Sequence, residues 1–252
     1  MIGNNQDIVY LNKNSNPISV VNNYSEGYNI EYPSDICTGR LGELYITDKE
    51  RNFVFWLYEG VISTIYSTPR YEDGSIISGE PTSPTSIRLN SSEDIFVLFE
   101  GDGSVRKFDR KGQQTIVLQP GIIERPSDIA ISNDDPLFVA SKIDGLVYKV
   151  KNDTEVVIIA GNKQGIKSAI DGVLASESYL GEPVSIDFDI SNRLYIADNA
   201  FGSIRVVTTD GIINSLTDSD NKVFNISKMR INNHGQTTLY TTHLLEHKLN
   251  RI

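Results

Sequence analysis

The chain has 252 residues, 39% of them hydrophobic and 22% charged, so it can bury a sizeable core and wholesale disorder is not expected. A formal net charge of -10 argues against sequence-independent binding of nucleic acid, which needs clustered Lys and Arg to displace phosphate counterions. The single cysteine, Cys37, excludes an intrachain disulfide and a cysteine cluster for zinc.

The predicted elements are all strands, and they begin with two strands in residues 7–21, DIVYLNKNSNPISVV. After them, apolar and polar residues alternate over short runs bounded by Gly, Asn and Asp, the pattern of half-buried antiparallel strands joined by tight turns. Four segments each predict a meander of four strands, and a fifth segment predicts three strands. The segments lie near 30–68, 81–119, 123–161, 180–217 and 223–252. No stretch predicts an amphipathic helix, because the nearest candidate, 168–180, is interrupted by glycine.

One stretch recurs at the start of each segment, and its best-preserved copy is EPVSIDFDISNRLYIADNAFGSIRVV at 182–207. In four segments a proline is followed three residues later by isoleucine, and nine residues further on by an aromatic residue. These residues are Pro33, Pro84, Pro126 and Pro183; Ile36, Ile87, Ile129 and Ile186; and Tyr45, Phe96, Phe138 and Tyr195. The fifth segment lacks the proline, and its spacing from Met229 to Tyr240 is two residues longer. The register indicates one repeated structural unit.

A meander of about 40–50 residues cannot bury both of its faces alone, so we expect the units to stack radially as the blades of an all-β propeller, one domain over 1–252. The chain ends fit this prediction, because 7–21 resembles the third and fourth strands of a blade and 223–252 the first three. Joining them in one sheet would close the ring and remove two exposed edges. Five blades are predicted, with six as the alternative, because both ends offer a third-strand segment.

The segment 160–217 resembles an NHL repeat together with the loop that precedes it. The matching residues are Ala160-Gly161-Asn162, Asp171-Gly172, Leu180, Pro183, Leu194-Tyr195-Ile196-Ala197-Asp198, Ile204-Arg205 and Gly211-Ile212. The resemblance implies a β-propeller and no single activity, since one fold hosts many functions. The strand-end acid of that family is present as Asp48 and Asp198, whereas Phe99, Ser141 and His243 stand at the equivalent places. That comparison indicates that Asp198 builds a turn.

Histidines are the first candidates for chemistry, because NHL-like lyases and lactonases use histidines or metal ligands around a central channel. His234, His243 and His247 are the three histidines of the chain, and all lie in the last segment. Their surroundings read as strand and turn, which does not offer helical metal-ligand geometry. We therefore expect turn or solvent-exposed histidines and assign no catalytic residue.

Three acids near the first strands, Asp35, Asp128 and Asp187, are the second candidates, since a ring of carboxylates could hold calcium. Ser86 and Lys228 stand at matching positions of other segments, however, and acids at strand entries commonly bond backbone amides. No metal and no cofactor is therefore predicted.

Protein contact remains as the favoured function. FVFWLY at 53–58 is apolar on both faces, with packing inside the molecule as the favoured interpretation and a partner as the alternative. The loops at 67–80 and 161–182 are the longest and are expected to project from a rim. The RNA binding of some NHL propellers is not expected, because the basic residues are scattered and the one cluster, 106–111, is diluted by Asp109.

The sequence thus favours a non-catalytic propeller that binds protein partners in a larger assembly, with a bacteriophage particle as the expected setting. The first residues do not form a secretory signal, and no apolar run reaches the roughly 18 residues of a membrane span, so a soluble cytoplasmic or virion protein is expected. Nucleic-acid, membrane and small-molecule partners are not expected. The alternative is a metal-dependent enzyme of the lyase or lactonase type with a site at the channel.

Overall fold

The computed structural model describes residues 8–11, 17–21, 30–164, 167–216, 225–232, 237–243 and 249–251. All of the regular secondary structure in these ranges is β-strand, which confirms the all-β prediction. The same ranges contain no helix long and apolar enough to cross a bilayer. The chain divides into two compact units, residues 1–115 and 116–252.

The first unit contains an antiparallel strand pair and two four-stranded antiparallel sheets, each in simple meander order. The pair is β1 (Ile8–Leu11) and β2 (Pro17–Val21). The first sheet comprises β3 (Pro33–Thr38), β4 (Leu44–Asp48), β5 (Phe53–Tyr58) and β6 (Val61–Ser67). The second comprises β7 (Pro84–Leu89), β8 (Ile95–Phe99), β9 (Ser104–Phe108) and β10 (Gln114–Leu118), and the boundary between the units falls within β10.

The second unit contains three antiparallel sheets. The first comprises β11 (Pro126–Ile131), β12 (Leu137–Ser141), β13 (Leu146–Val150) and β14 (Val156–Ala160). A two-residue strand, β15 (Val173–Leu174), then pairs with the outer edge of a sheet made of β16 (Pro183–Phe188), β17 (Leu194–Asp198), β18 (Ser203–Val207) and β19 (Ile212–Ser215). The last sheet comprises β20 (Ile226–Asn232), β21 (Thr238–His243) and β22 (Leu249–Arg251).

The recurring proline marks a shared irregularity in the pairing of the first two strands of each sheet. Pro183 lies opposite Asp198, but Ser185 lies opposite Ala197, so one extra residue stands on the first strand. The same shift follows Pro33, Pro84 and Pro126, and it follows Ile226 in the sheet that lacks the proline. A proline fits here because it opens the strand and has no N–H to give to the ladder. The extra residue is a β-bulge, which turns a side chain away from the pleat.

Apolar faces of neighbouring sheets pack together within each unit. In the first unit Val54 of β5 lies with Val97 and Phe99 of the next sheet. The other face of β5 places Phe55 and Leu57 in a separate apolar cluster. Val54, Phe55 and Leu57 of FVFWLY are therefore buried, as the favoured interpretation predicts, whereas Phe53, Trp56 and Tyr58 are half-buried.

In the second unit, residues of the β11–β14 sheet and of the β16–β19 sheet form one apolar cluster, which includes Ala140 and Ile196. Tyr195 and Ile204, on the other side of the β16–β19 sheet, lie with Met229 of β20. The four-stranded antiparallel sheets, each packed on its neighbour within a unit, are consistent with a β-propeller.

One strand departs from the simple prediction. The strand β15 was not predicted, because two residues carry no detectable alternation. The pair β1–β2 forms a two-stranded sheet of its own, and β20–β22 form a three-stranded one. Ring closure between these sheets, the number of blades and the single domain stay predictions.

Candidate functional site

The first strands of neighbouring sheets are joined by side chains. The tripeptide Pro-Ser-Asp opens β3 at 33–35 and β11 at 126–128. Ser34 Oγ donates to the Pro84 carbonyl oxygen at 2.8 Å, and Ser127 Oγ donates to the Pro183 carbonyl oxygen at 2.7 Å. Each serine is the bulged residue of its strand, so the bulge turns its hydroxyl toward the next first strand.

Asp35 completes this junction in the first unit. Its Oδ2 accepts hydrogen bonds from Ser86 Oγ at 3.1 Å, from the Ile87 N–H at 3.0 Å and from Arg88 Nη1 at 2.8 Å. The carboxylate is 3% exposed and the guanidinium side chain 9%. The first strand of a sheet pairs with the second strand along one of its edges. A buried backbone N–H on the other edge of the first strand needs an acceptor from elsewhere. Asp35 supplies that acceptor, and Arg88 neutralises its charge.

Asp128 makes the corresponding junction in the second unit, where two cations of the following first strand contact it. Its Oδ2 accepts from Ser185 Oγ at 2.5 Å and from the Ile186 N–H at 3.0 Å. Arg230 Nη1, from the following first strand, donates to the same oxygen at 3.1 Å, and Lys228 Nζ donates to Oδ1 at 2.9 Å. The Asp128 side chain is 0% exposed, whereas Lys228 is 16% and Arg230 25% exposed. The carboxylate is therefore buried, whereas both cations that contact it are partly exposed to solvent.

The junction between β16 and β20 also uses a carboxylate that accepts a backbone N–H, but this acid stands two residues further along its first strand. Ser185 Oγ accepts from the Met229 N–H at 3.0 Å, and Asp187 Oδ2 accepts from the Ile231 N–H at 2.9 Å. Asp187 thus stands at a different strand position from Asp35 and Asp128, so the three acids are not equivalent members of one ring. Each takes a backbone N–H of the next first strand. Among the described residues, no three His, Cys, Asp or Glu side chains gather as a metal site.

The strand-end acids have backbone partners as well. Asp198 accepts from the Gly181 N–H at 2.8 Å and from the Glu182 N–H at 2.9 Å, just before Pro183. Asp48 accepts from the Glu31 N–H at 2.7 Å in the same way. Ser141 instead donates through its hydroxyl to the Glu124 carbonyl oxygen at 2.7 Å. These acids therefore hold the chain that enters each first strand, which agrees with the interpretation of Asp198 as a turn-builder.

A buried arginine fastens the long segment between β14 and β16. Arg205 is 0% exposed, and its Nη2 donates to the Ile170 carbonyl oxygen and to Asp171 Oδ1, both at 2.9 Å, and to Ser178 Oγ at 3.4 Å. Burial lowers the pKa of Arg205 from its ordinary value, and the carboxylate of Asp171 opposes that shift. The segment that was expected to project from a rim is therefore anchored to the third strand of its own sheet.

The start of the same segment is held by Asp144, in the turn between β12 and β13. Burial by itself would raise the pKa of Asp144, but hydrogen bonds from Lys163, Tyr148 and Ser141 outweigh it and hold the pKa below its usual range. The nearby Gly145 has φ +65°, and a Cβ there would lie 2.4 Å from the Leu180 carbonyl oxygen. A residue with a side chain would therefore push this turn away from the segment.

Sequence reasoning found the acids of the first strands but missed the cations that surround one of them. Lys228 was noted solely as a break in the pattern, and Arg230 was not singled out. A signal was present, because Lys228 stands where the other first strands carry Asp35, Ser86, Asp128 or Ser185. Of the three candidate histidines, His234 and His247 lie outside the described residues, and His243 is described only by its backbone, at the end of β21.

No protein-family model matches the chain, and no curated protein does. Solved structures do resemble it. Virginiamycin B lyase from Staphylococcus aureus matches with a TM-score of 0.62 and 14% identity, over 98% of this chain and 76% of the lyase. A putative gluconolactonase matches with a TM-score of 0.65 and 12% identity, over 96% of this chain and 79% of that one. An auxiliary nutrient binding protein from Bacteroides thetaiotaomicron matches with a TM-score of 0.67 and 12% identity, over 96% and 62%. At such identity the likeness shows the fold alone, and it is consistent with a β-propeller.

Proposed function

We propose that the protein is a propeller enzyme of the lyase or lactonase type that acts on a small molecule at the first strands of its second unit. The observation that carries the proposal is the pair Lys228 and Arg230. A fully buried carboxylate, Asp128, orients both cations, and both still reach solvent. Long basic side chains on a surface usually lose much of their binding energy to conformational entropy, and this anchoring removes part of that cost.

The chemistry that this pair offers is the stabilisation of negative charge. Opening a lactone by water, or breaking an ester bond by elimination, places charge on oxygen atoms of the substrate. Donors that are already oriented stabilise such charge without reorganising, and removal of one donor of this kind typically costs about 10²–10³ in kcat. In this proposal the Lys228 ammonium and the Arg230 guanidinium are those donors, and Asp128 is a positioning residue behind them.

The structural comparisons favour this proposal over the function preferred from the sequence. Two of the three neighbours described above are named a lyase and a gluconolactonase, and both names refer to chemistry on small molecules. The proposal departs from the sequence-based expectation of a non-catalytic module without a small-molecule ligand. It also departs from the metal-dependent alternative, because Asp35, Asp128 and Asp187 are engaged by strand-to-strand hydrogen bonds.

Turnover by the purified full chain tests the proposal. A panel of lactones and macrocyclic esters is incubated with the protein and followed by mass spectrometry, where hydrolysis adds the mass of water and elimination leaves the mass unchanged. We expect conversion of at least one class, and about 10²-fold slower conversion by Arg230→Gln. Arg193→Gln, a change of the same type on a more exposed arginine of the same unit, should leave the rate unchanged. No conversion across the panel, or equal rates for the two variants, contradicts the proposal.

A non-catalytic binding module is the second candidate, because the described first-strand acids are engaged in structural contacts and one neighbour is named a nutrient binding protein. The setting in a bacteriophage particle stays a prediction.

For the architecture we propose NHL-type blades, five in number, with β1–β2 completing the sheet of β20–β22. Deletion of residues 1–22 tests this closure: a lower unfolding temperature is expected, and an unchanged one contradicts it.

A further inference from the structure

We infer that one corner of the first sheet, around Trp56 and Tyr58, binds a basic peptide segment of a partner protein, with an arginine or lysine of that segment lying over the aromatic rings. This surface belongs to the first unit, whereas the residues of the proposed function lie in the second, so the inference goes beyond that function. We call the surface the aromatic corner. It consists of Tyr45, Trp56, Tyr58 and Val61, with Glu43 and Glu59 at its margin.

One face of β5 is covered at one end and open at the other. Val54 is fully buried among residues of the second sheet, whereas Trp56 and Tyr58, the next two residues on the same face, are half-buried. Tyr45 of β4 lies opposite Trp56. Val61 of β6 lies opposite Tyr58 and is 59% exposed. Because directly opposed residues share a face of a sheet, the aromatic corner is one continuous apolar surface that solvent reaches.

The rings of the aromatic corner are ordered by one another. The Trp56 and Tyr58 rings stack, with their centroids 6.0 Å apart and their planes at 27°. Burial raises the pKa of Tyr45, and a hydrogen bond from the Trp56 indole N–H to the Tyr45 hydroxyl opposes that rise. Binding to side chains that are already ordered costs little further conformational entropy. Tryptophan and tyrosine are also among the residues that contribute most to the binding energy of protein interfaces.

Two acids give the aromatic corner a negative margin. Glu43 lies beside the Tyr45 ring, since a Cβ at Gly39 would be 2.4 Å from the Glu43 carboxylate and 3.3 Å from that ring. Glu59 directly follows Tyr58 in the turn that leads to β6, and it is exposed. The faces of aromatic rings carry negative potential themselves, so acids and rings attract the same kind of ligand, a cation.

The nearby cation does not reverse this charge. Arg110 lies close enough to Tyr45 to lower the pKa of its hydroxyl, but it forms an ion pair with Glu93. Glu43 accepts from the Leu41 N–H at 2.9 Å, which is a neutral donor, so Glu43 keeps its charge. The net charge of -10 also attracts a basic partner, and it repels a second copy of the chain. The charges therefore favour a basic segment over self-association.

Titration of the full chain with a tryptophan-free peptide of alternating arginine and glycine tests the inference, because Trp56 is the single tryptophan and reports contact through its fluorescence. We expect Trp56 emission to change on binding, and a peptide of alternating glutamate and glycine to leave it unchanged. Tyr58→Leu should weaken binding of the arginine peptide about 3–10-fold, because a cation–π contact is lost. Tyr71→Leu, on a tyrosine of the same unit that is 54% exposed, should leave the affinity unchanged.

A second matched pair of variants tests the charge. Glu59→Gln should weaken binding about 2–4-fold, whereas Glu72→Gln, on another exposed glutamate of the unit, should not, although both change the net charge equally. This pair decides the question if Tyr58→Leu does not fold. Absence of binding, calorimetric binding without a change in Trp56 emission, equal affinities within a matched pair, or equal binding of the glutamate peptide overturns the inference. A dimer in light scattering that Tyr58→Leu separates also overturns it, since a second copy would then occupy the corner.

Discussion

Substitution of Asp35 by alanine examines the joining of first strands at a junction where both members of the ion pair are buried. The change removes the acceptor of the Ile87 N–H and of Ser86 Oγ, and it breaks the ion pair between Asp35 and Arg88, whose side chain is 9% exposed. Loss of one partner of a buried ion pair costs about 3–5 kcal/mol. For a chain of this size each kcal/mol corresponds to about 2–4 °C, so the unfolding temperature should fall by about 6–20 °C.

The assay is thermal unfolding followed by circular dichroism and by fluorescence of Trp56, the single tryptophan, which lies in the same unit. Asp35→Asn should give a smaller loss, because the amide oxygen still accepts from the Ile87 N–H while the charge is gone. Asp73→Ala, on an exposed aspartate of this unit, is the matched control and should have little effect. If Asp35→Ala unfolds at the temperature of Asp73→Ala, the acid does not join the strands and the reasoning is refuted.

Three further predictions concern the second unit. Arg205→Met should destabilise the protein by about 2–3 kcal/mol and speed proteolytic cleavage within 161–182, since the anchoring bonds to Ile170 and Asp171 are lost; unchanged cleavage contradicts this. The lowered pKa of Asp144 contributes stability that is present above about pH 4 and lost as the pH falls through the folded-state pKa. Asp144→Asn should therefore be less stable than wild type in urea unfolding at neutral pH and lose less stability on acidification, and parallel pH profiles would refute the assignment. Gly145→Ala should lower the free energy of unfolding by about 1–3 kcal/mol more than Gly172→Ala does. Both glycines have positive φ, but a Cβ at position 145 meets the Leu180 carbonyl oxygen, whereas a Cβ at position 172 meets nothing within 4 Å. Equal losses in the same assay would show that the turn can move away.

The strands and their order were predictable because the signal is local. Alternation, turn residues and the spacing from Pro183 to Tyr195 all act within one sheet, and the structure places the four expected strands there. The bulge after the proline was not predicted, since Val184 looks like any other strand residue in the sequence. The bulge is shown by the pairing of β16 with β17, in which Pro183 lies opposite Asp198 and Ser185 lies opposite Ala197.

The partners of the acids were beyond sequence reasoning, because they come from strands far apart in the chain. Asp128 meets Ser185 and Arg230, 57 and 102 residues further on. Sequence alignment could place Asp35 and Asp128 at one position, but it could not show that the next first strand offers them an N–H. The same limit hid Lys228, whose importance depends on its neighbour Asp128 and on its remaining contact with solvent.

A double-mutant cycle between Asp128 and Arg230 tests most directly the claim that one buried acid both joins the strands and orients the cations. The free energies of unfolding of wild type, Asp128→Asn, Arg230→Gln and the double variant are measured in urea. Because Arg230 Nη1 lies 3.1 Å from Asp128 Oδ2, we predict a coupling energy of about 1–2 kcal/mol. Single effects that add to within about 0.5 kcal/mol would contradict the account, since the arginine would then not be held by the acid.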